Sequence, residues 1–140
     1  MKRTKAAFAA ISLVTAVSGN AGAAELHIEI SGIAEAKGEV LVSLFNKAEG
    51  WLKKGVAVAN KPAQSGTVSV SFPGLAEGEY AFSIVHDVNG NRKLDTNVVG
   101  MPVEPYGFSN NATGNFGPPT FEQAKFTLGP DKKVMTAKVQ

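Results

Sequence analysis

The chain of 140 residues contains no cysteine, carries a formal net charge of +2 and is 44% hydrophobic. This length and apolar content suffice for one domain with its own core, and the lack of cysteine excludes disulfides and thiolate metal sites. Three basic residues, Lys2, Arg3 and Lys5, lie at the extreme N-terminus, and without them 11 basic residues stand against 12 acidic ones. That balance gives no reason to expect a nucleic acid or an anionic membrane as partner.

The N-terminal segment has the pattern of a secretory signal peptide. Its basic start is followed by an apolar run at 6–17, which is too short to span a bilayer, and then by the small residues 21–23. We expect cleavage after Ala23, with Ala24 as the alternative, which leaves a single mature domain at 24–140. The protein is therefore predicted to be bacterial and exported, to the periplasm or beyond it, with no membrane span after cleavage.

Seven strand-like runs follow, and most of them show the period-two alternation of a half-buried strand. The runs are residues 26–30, 40–45, 56–60, 67–72, 80–86, 121–128 and 134–139. The second run is apolar on both faces except at Ser43, as expected of a central strand, whereas Pro62 indicates that the third is an edge strand. No helical segment is long enough for a parallel crossover, so we predict an all-β antiparallel sandwich, immunoglobulin-like or transthyretin-like.

A long segment at 88–119 is rich in Asn, Gly and Pro and has no sustained period. Such a length is uncommon in a compact domain unless the segment folds on itself or has a function. Tyr106, Phe108 and Phe116 lie in it, and Trp51 lies in an earlier loop. These four aromatic residues are a predicted surface for a periplasmic or extracellular protein or carbohydrate ligand. The alternative is a lid packed on one end of the sandwich.

The same segment begins with regularly spaced oxygen-bearing residues. Read as a twelve-residue calcium loop, Asp87, Asn89 and Asn91 take places one, three and five, Lys93 offers its carbonyl at place seven, and Asp95 takes place nine. Carboxylate, amide and carbonyl oxygens are the ligands that calcium prefers. The spacing therefore predicts a calcium site, which is the one cofactor that the sequence suggests.

Two places of that loop depart from the calcium pattern. Arg92 stands at place six, where a glycine normally makes the turn, and Val98 stands at place twelve, where a bidentate Glu is expected. A helix-flanked EF-hand is thereby excluded, and a partial cage completed by water, Glu104 or Asp131 would bind weakly, with a Kd on the order of 10⁻⁴–10⁻³ M. The alternative is a set of Asx-turns around a tight Asn-Gly hairpin turn, with no metal.

Little in the chain suggests catalysis, so we expect a non-enzymatic binding or structural module. The two histidines, His27 and His86, lie in strand patterns, and no nucleophile motif accompanies them. One alternative is a hydrolase or isomerase that uses His86 with Asp87 or Glu104. Another alternative is a purely structural component of the envelope or matrix.

Two stretches resemble a known family. Residues 86–97 read HDVNGNRKLDTN and residues 100–112 read GMPVEPYGFSNNA, and together they are similar to the secreted bacterial family called domain of unknown function 2141. The resemblance extends over nearly the whole mature chain, including 38–45 and 78–80. It implies a small exported protein and no established activity, and one family-like variant of the loop has Gly where this chain has Arg92. The strand-turn-strand at 72–80 also resembles transthyretin-like and collagen-adhesin B-type sandwich domains.

Overall fold

The computed structural model describes residues 22–140, so the predicted signal peptide, apart from its last two positions, lies outside the described residues. Eight strands are present: β1 (Ala24–Ile33), β2 (Glu39–Phe45), β3 (Ala57–Pro62), β4 (Gly66–Leu75), β5 (Gly78–Asp87), β6 (Tyr106–Phe108), β7 (Phe126–Leu128) and β8 (Lys132–Lys138). A short helix, α1 (Phe121–Ala124), and two 3₁₀ turns, Ala48–Gly50 and Ser109–Asn111, complete the secondary structure. No helix in this part of the chain is long and apolar enough to cross a membrane.

The strands form two sheets, which confirms the predicted all-β sandwich. The first sheet has the order β4-β1-β8, and the second has the order β3-β2-β5-β6, with β7 pairing the first residues of β5 beyond the end of β6. All pairs are antiparallel except β1 with β8, which is parallel. The predicted central strand at 40–45 is β2, between β3 and β5, and the predicted edge strand is β3.

The core lies between the two sheets because the apolar side of each alternating strand faces inward. On the second sheet Val42 and Leu44 of β2 oppose Ile84 and Phe82 of β5, and all four are fully buried. The first sheet contributes the alternate residues of β1 and β4, which are equally closed to water. A smaller apolar cluster lies on the outer side of the second sheet.

One edge of the sandwich is closed by β6. The backbones of Tyr106 and Gln140 exchange two hydrogen bonds, at 3.3 and 3.1 Å, and so join the second sheet to the chain that follows β8. Gly107 makes this approach possible, since a Cβ there would lie 2.4 Å from the carbonyl oxygen of Lys138. Ser109 continues the anchoring: its hydroxyl accepts the Phe82 N–H at 2.9 Å and donates to the Ala124 carbonyl at 2.7 Å.

The prediction of one continuous strand at 121–128 was wrong. Thr120 caps a helical turn in which its hydroxyl accepts the Gln123 N–H, while the Gln123 side chain accepts the Thr120 N–H. This capping box satisfies two of the donors that a helix start leaves open. The strand β7 begins only after the turn, at Phe126, and the helical turn sends Phe121 to the outer cluster.

Candidate functional site

The outer face of the second sheet carries a band of small polar and apolar side chains. In register across four strands lie Val58, Ser43, Ser83 and Phe108, so the two serine hydroxyls stand opposite each other in the middle of the face. The next row places Leu41 against Val85 and Val85 against Tyr106. Because Ser43 and Ser83 are small and only half-buried, this face is shallow where the inner face is filled.

Loops rise on two sides of this band and form a groove of about 1150 Å³. One wall is a hairpin closed by the bridge between Thr96 and Pro102, whose turn is held by Asn97 Oδ1 accepting the N–H groups of Val99 and Met101 at 3.0 Å. The other wall is the segment 111–119. Four large hydrophobic side chains of the lining are exposed to solvent: Leu52, Val58, Met101 and Phe116. We call this feature the outer groove.

The four predicted aromatic residues lie around the outer groove but differ in burial. Phe116 is fully exposed, with a relative exposure of 104%, whereas Phe108 retains only 8%. Tyr106 is half-buried, and its ring meets that of Phe108 edge to face at 5.8 Å between centroids. Three of them line the groove directly, and Trp51 packs behind them against Phe108 at 6.0 Å.

Trp51 holds one wall of the outer groove in place. Its ring stands edge to face with Phe45 at 5.0 Å and with Phe121 at 6.0 Å. Its indole Nε1 donates a hydrogen bond of 2.8 Å to the carbonyl oxygen of Pro119. Phe45 and Phe121 were not predicted as neighbours of Trp51, because both lie in strand-like runs whose alternation does not show what packs on their outer face.

The segment from Asp87 to Asp95 folds around the carboxylate of Asp87. This side chain is fully buried and accepts the backbone N–H of Asn91 at 3.2 Å and that of Arg92 at 2.6 Å. Arg92 adopts a left-handed conformation with φ of 62°, which is costly for a residue with a Cβ and is the conformation that glycine adopts freely. The arginine therefore stands at a place whose backbone favours glycine.

The exposed side of the same loop is organised by Asp95. The side-chain amide of Asn91 donates to Asp95 Oδ1 at 2.7 Å, and that of Asn89 donates to Oδ2. Hydrogen bonds from Asn91 and then Asn89 lower the pKa of the Asp95 carboxyl below its ordinary value. This ionised carboxylate favours the folded loop above the unfolded-state pKa, and the contribution is lost as the pH falls through the lower folded-state pKa.

Glu104 closes the loop from the other side. Although only 8% exposed, its carboxylate accepts the N–H of Val88 at 2.8 Å and that of Asp95 at 3.1 Å. Glu104 therefore joins the two ends of the predicted calcium loop, whereas Asp131 lies in the turn before β8. The N–H of Lys93 donates to Asn91 Oδ1 at 3.0 Å. Within residues 22–140 no group of three or more His, Cys, Asp or Glu side chains has a metal-binding arrangement.

The two histidines lie in different surroundings, His86 on β5 and His27 on β1. His86 is 1% exposed on the inner face of β5, where Nε2 donates to the carbonyl oxygen of Lys37 at 2.8 Å. Because successive residues of a strand point to opposite faces, the side chains of His86 and Asp87 diverge. His27 lies on β1, where Nδ1 is 2.9 Å from Ser71 Oγ. His86 and Asp87 of the predicted alternative enzyme site thus point to opposite faces of β5, and Glu104 lies in the segment before β6.

These features define a small β-sandwich domain with a loop-walled groove on one sheet face. A family model described as "Uncharacterized protein conserved in bacteria (DUF2141)" matches residues 28–136, and the chain belongs to this family. No significant match was found among curated proteins or among solved structures. The matched range includes both sheets, the 87–95 loop and both walls of the outer groove.

Proposed function

We propose that this protein is an exported, non-enzymatic binding module that takes its ligand in the outer groove. The observation that supports this most directly is the groove itself, whose volume of about 1150 Å³ slightly exceeds the roughly 300–1,000 Å³ common for ligand sites. The exposed apolar side chains along it, Phe116 and Val58 above all, are expensive to leave in water without a use. A protein segment or a carbohydrate is the ligand class predicted from the aromatic residues.

Export is supported by the start of the fold. The first strand begins at Ala24, directly after the expected cleavage position, and Ala24 is itself buried in the core. The non-enzymatic character is supported by the use of the polar groups: the carboxylates of Asp87 and Glu104 each accept two backbone N–H groups of the segment that follows β5. A hydrolase or isomerase would need these groups free, and a purely structural component would need no groove.

The proposal is tested with a neutral fluorescent dye, N-phenyl-1-naphthylamine, which brightens in apolar surroundings. We expect saturable binding to the wild type and an affinity about tenfold lower in Val58→Asp, since the new carboxylate must lose water when the dye fills the groove. Val134→Asp is the matched control, because Val134 is also an exposed strand valine, 56% against 65% for Val58, but does not line the groove. Equal loss in both variants, or no saturable binding, would refute the proposal.

We further propose that the 87–95 loop binds calcium weakly. The supporting observation is the left-handed backbone of Arg92, which places the sharp turn where a calcium loop needs it. Asp87 and Asp95 would supply charge, and Asn89, Asn91 and the Lys93 carbonyl would supply further oxygens. The amide groups that now donate to Asp95 would have to turn their oxygens toward the ion.

Replacement of Arg92 by glycine is expected to stabilise the loop. Arg92→Gly relieves the left-handed strain, by about 1 kcal/mol, and removes a cation next to the ion site. The melting temperature should rise, and addition of about 5 mM calcium to chelator-treated protein should raise it further by a few degrees in the variant and less in the wild type. Magnesium at the same concentration is the control ion, and no calcium-dependent shift in either protein would end the metal proposal.

A further inference from the structure

The lining of the outer groove is chemically one-sided. Its charged residues are Lys53, Arg92 and Lys138, and no Asp or Glu from residues 22–140 is among the lining residues. By contrast, the chain that is expected to remain after signal-peptide cleavage contains 12 acidic and 11 basic residues. A groove that gathers cations on a slightly acidic domain attracts anions, and its low-dielectric walls strengthen that attraction.

The three cationic residues differ in whether another group of the protein already contacts their side chains. Arg92 is paired with Glu39 at 3.5 Å, and the stem of Lys138 runs against Gly32 on the first sheet. Lys53 is exposed, and in the described part of the chain no carboxylate lies within ion-pair distance of it. Lys53 is therefore the cation best placed to bind an anionic head.

The rest of the groove is suited to an extended apolar body. The lining includes Ser43 and Phe45 of β2. It also includes Lys53, two residues after the Trp51 that packs on Phe45, and Arg92, which pairs with the first residue of β2. Its large uncharged side chains are mainly aliphatic and aromatic, and its small polar side chains are Ser43, Ser83, Thr96, Asn111 and Thr113.

From this arrangement we infer that the ligand is a single-chain amphiphile with an anionic head, namely a monomeric long-chain carboxylate. The inference rests on the proposed function of the outer groove as a ligand site, and it replaces the protein or carbohydrate ligand that the aromatic residues alone predicted. The head group meets Lys53 at the Phe45 end, and the chain lies over the serine pair between Met101 and Phe116. Burial of the chain supplies affinity in proportion to the apolar area covered, and the charge selects the head.

The test measures displacement of the bound neutral dye by two amphiphiles of equal chain length, dodecanoate and dodecyltrimethylammonium, both kept below their micellar concentrations. We expect dodecanoate to displace the dye at about tenfold lower concentration, which corresponds to about 1.4 kcal/mol. In Lys53→Gln this preference should fall to about threefold. Lys61→Gln removes the same charge from β3 outside the groove lining, and it should leave the preference unchanged.

Two further arms identify the source of any anion preference. At about 1 M salt, where the Debye length is roughly 3 Å, the preference for dodecanoate should shrink. Co-sedimentation with phosphatidylglycerol vesicles should be no greater than with phosphatidylcholine vesicles, because the site takes one chain and not a bilayer. Stronger co-sedimentation with the anionic vesicles would overturn the assignment to a monomeric ligand.

The outcomes separate the inference from the function on which it rests. Saturable dye binding with equal displacement by both amphiphiles overturns the inference and leaves the groove as a binding site. Displacement by maltohexaose at concentrations as low as those of dodecanoate overturns it in favour of a carbohydrate. An unchanged preference in Lys53→Gln overturns Lys53 as the anchor. Absence of saturable dye binding removes the proposed function itself.

Discussion

A Trp51→Ala variant is expected to lose about 3–4 kcal/mol of unfolding free energy, the largest effect of any loop residue in this domain. The indole packs edge to face on Phe45 and Phe121, and truncation of a packed tryptophan leaves a cavity of costly size. It also removes the hydrogen bond of 2.8 Å to Pro119. Urea unfolding followed by far-ultraviolet circular dichroism measures the loss.

The matched variant Trp51→Phe separates packing from hydrogen bonding. Phenylalanine keeps much of the aromatic contact and gives up only the bond to the Pro119 carbonyl, so it should cost about 1–2 kcal/mol. Both variants should weaken dye binding in the outer groove at temperatures where they are folded, because the 111–119 wall is attached through this bond. A Trp51→Ala protein with wild-type stability would show that the tryptophan is a free surface residue after all.

The sandwich was predictable because its strands alternate, and alternation is a local property of the chain. Four of the five longest strands cover the run that the sequence indicated, and β8 at Lys132–Lys138 covers all but the last residue of the run 134–139. β6 was missed because Tyr106–Phe108 has three residues and a central glycine, too few for a period to show. The glycine is required there by the approach of the Lys138 carbonyl, which is a contact between distant parts of the chain.

The outer groove could not be predicted for the same physical reason. Its floor depends on Ser43 and Ser83 standing in register, and in the sequence each is only a polar interruption of an apolar strand. Register is set by the pairing of β2 with β5, which no single strand encodes. The aromatic residues of the 88–119 segment did indicate this region, but not which of them would be buried, as Phe108 is, and which exposed, as Phe116 is.

The 87–95 loop could be predicted from the sequence in part. The spacing of its oxygens and the mismatch at Arg92 were visible in the sequence, because both depend on neighbouring residues. The left-handed backbone of Arg92 shows what the mismatch costs locally. The hydrogen bonds from the N–H groups of Val88 and Asp95 to Glu104 form only because the chain after Asp95 folds back onto the loop. The sequence did not indicate this return of the chain.

The 87–95 loop is connected to one wall of the outer groove, so a change in the conformation of the loop should alter that wall. Arg92 belongs to the loop and lines the groove, where it pairs with Glu39 of β2. Asp95 N–H is held by Glu104, and the Thr96–Pro102 hairpin begins at the next residue. Calcium bound to the loop would therefore stiffen one wall of the groove, and loosening of the loop would release it.

Removal of the Glu104 carboxylate is the second change with a large expected effect. Glu104→Ala leaves the N–H groups of Val88 and Asp95 without their acceptor. Each unsatisfied donor costs roughly 1–3 kcal/mol, and water that enters the loop offsets part of this cost. The expected loss of unfolding free energy is therefore about 2–3 kcal/mol. Hydrogen exchange should show faster exchange at these two amides than in the wild type, while amides of β2 and β5 stay protected.

A graded series makes the Glu104 prediction sharper. In Glu104→Gln the side chain keeps one oxygen that can accept and replaces the other by an amide that cannot, so one of the two N–H groups should exchange fast and the stability loss should be about half. Glu122→Ala is the control for loss of an acid, because Glu122 is an exposed residue whose partner is Lys125 at 2.9 Å, and exposed ion pairs contribute less than about 1 kcal/mol. If Glu104→Ala were as mild as Glu122→Ala, the loop would be held by Asp87 and Asp95 without Glu104, and its coupling to the groove wall would have to run through Arg92.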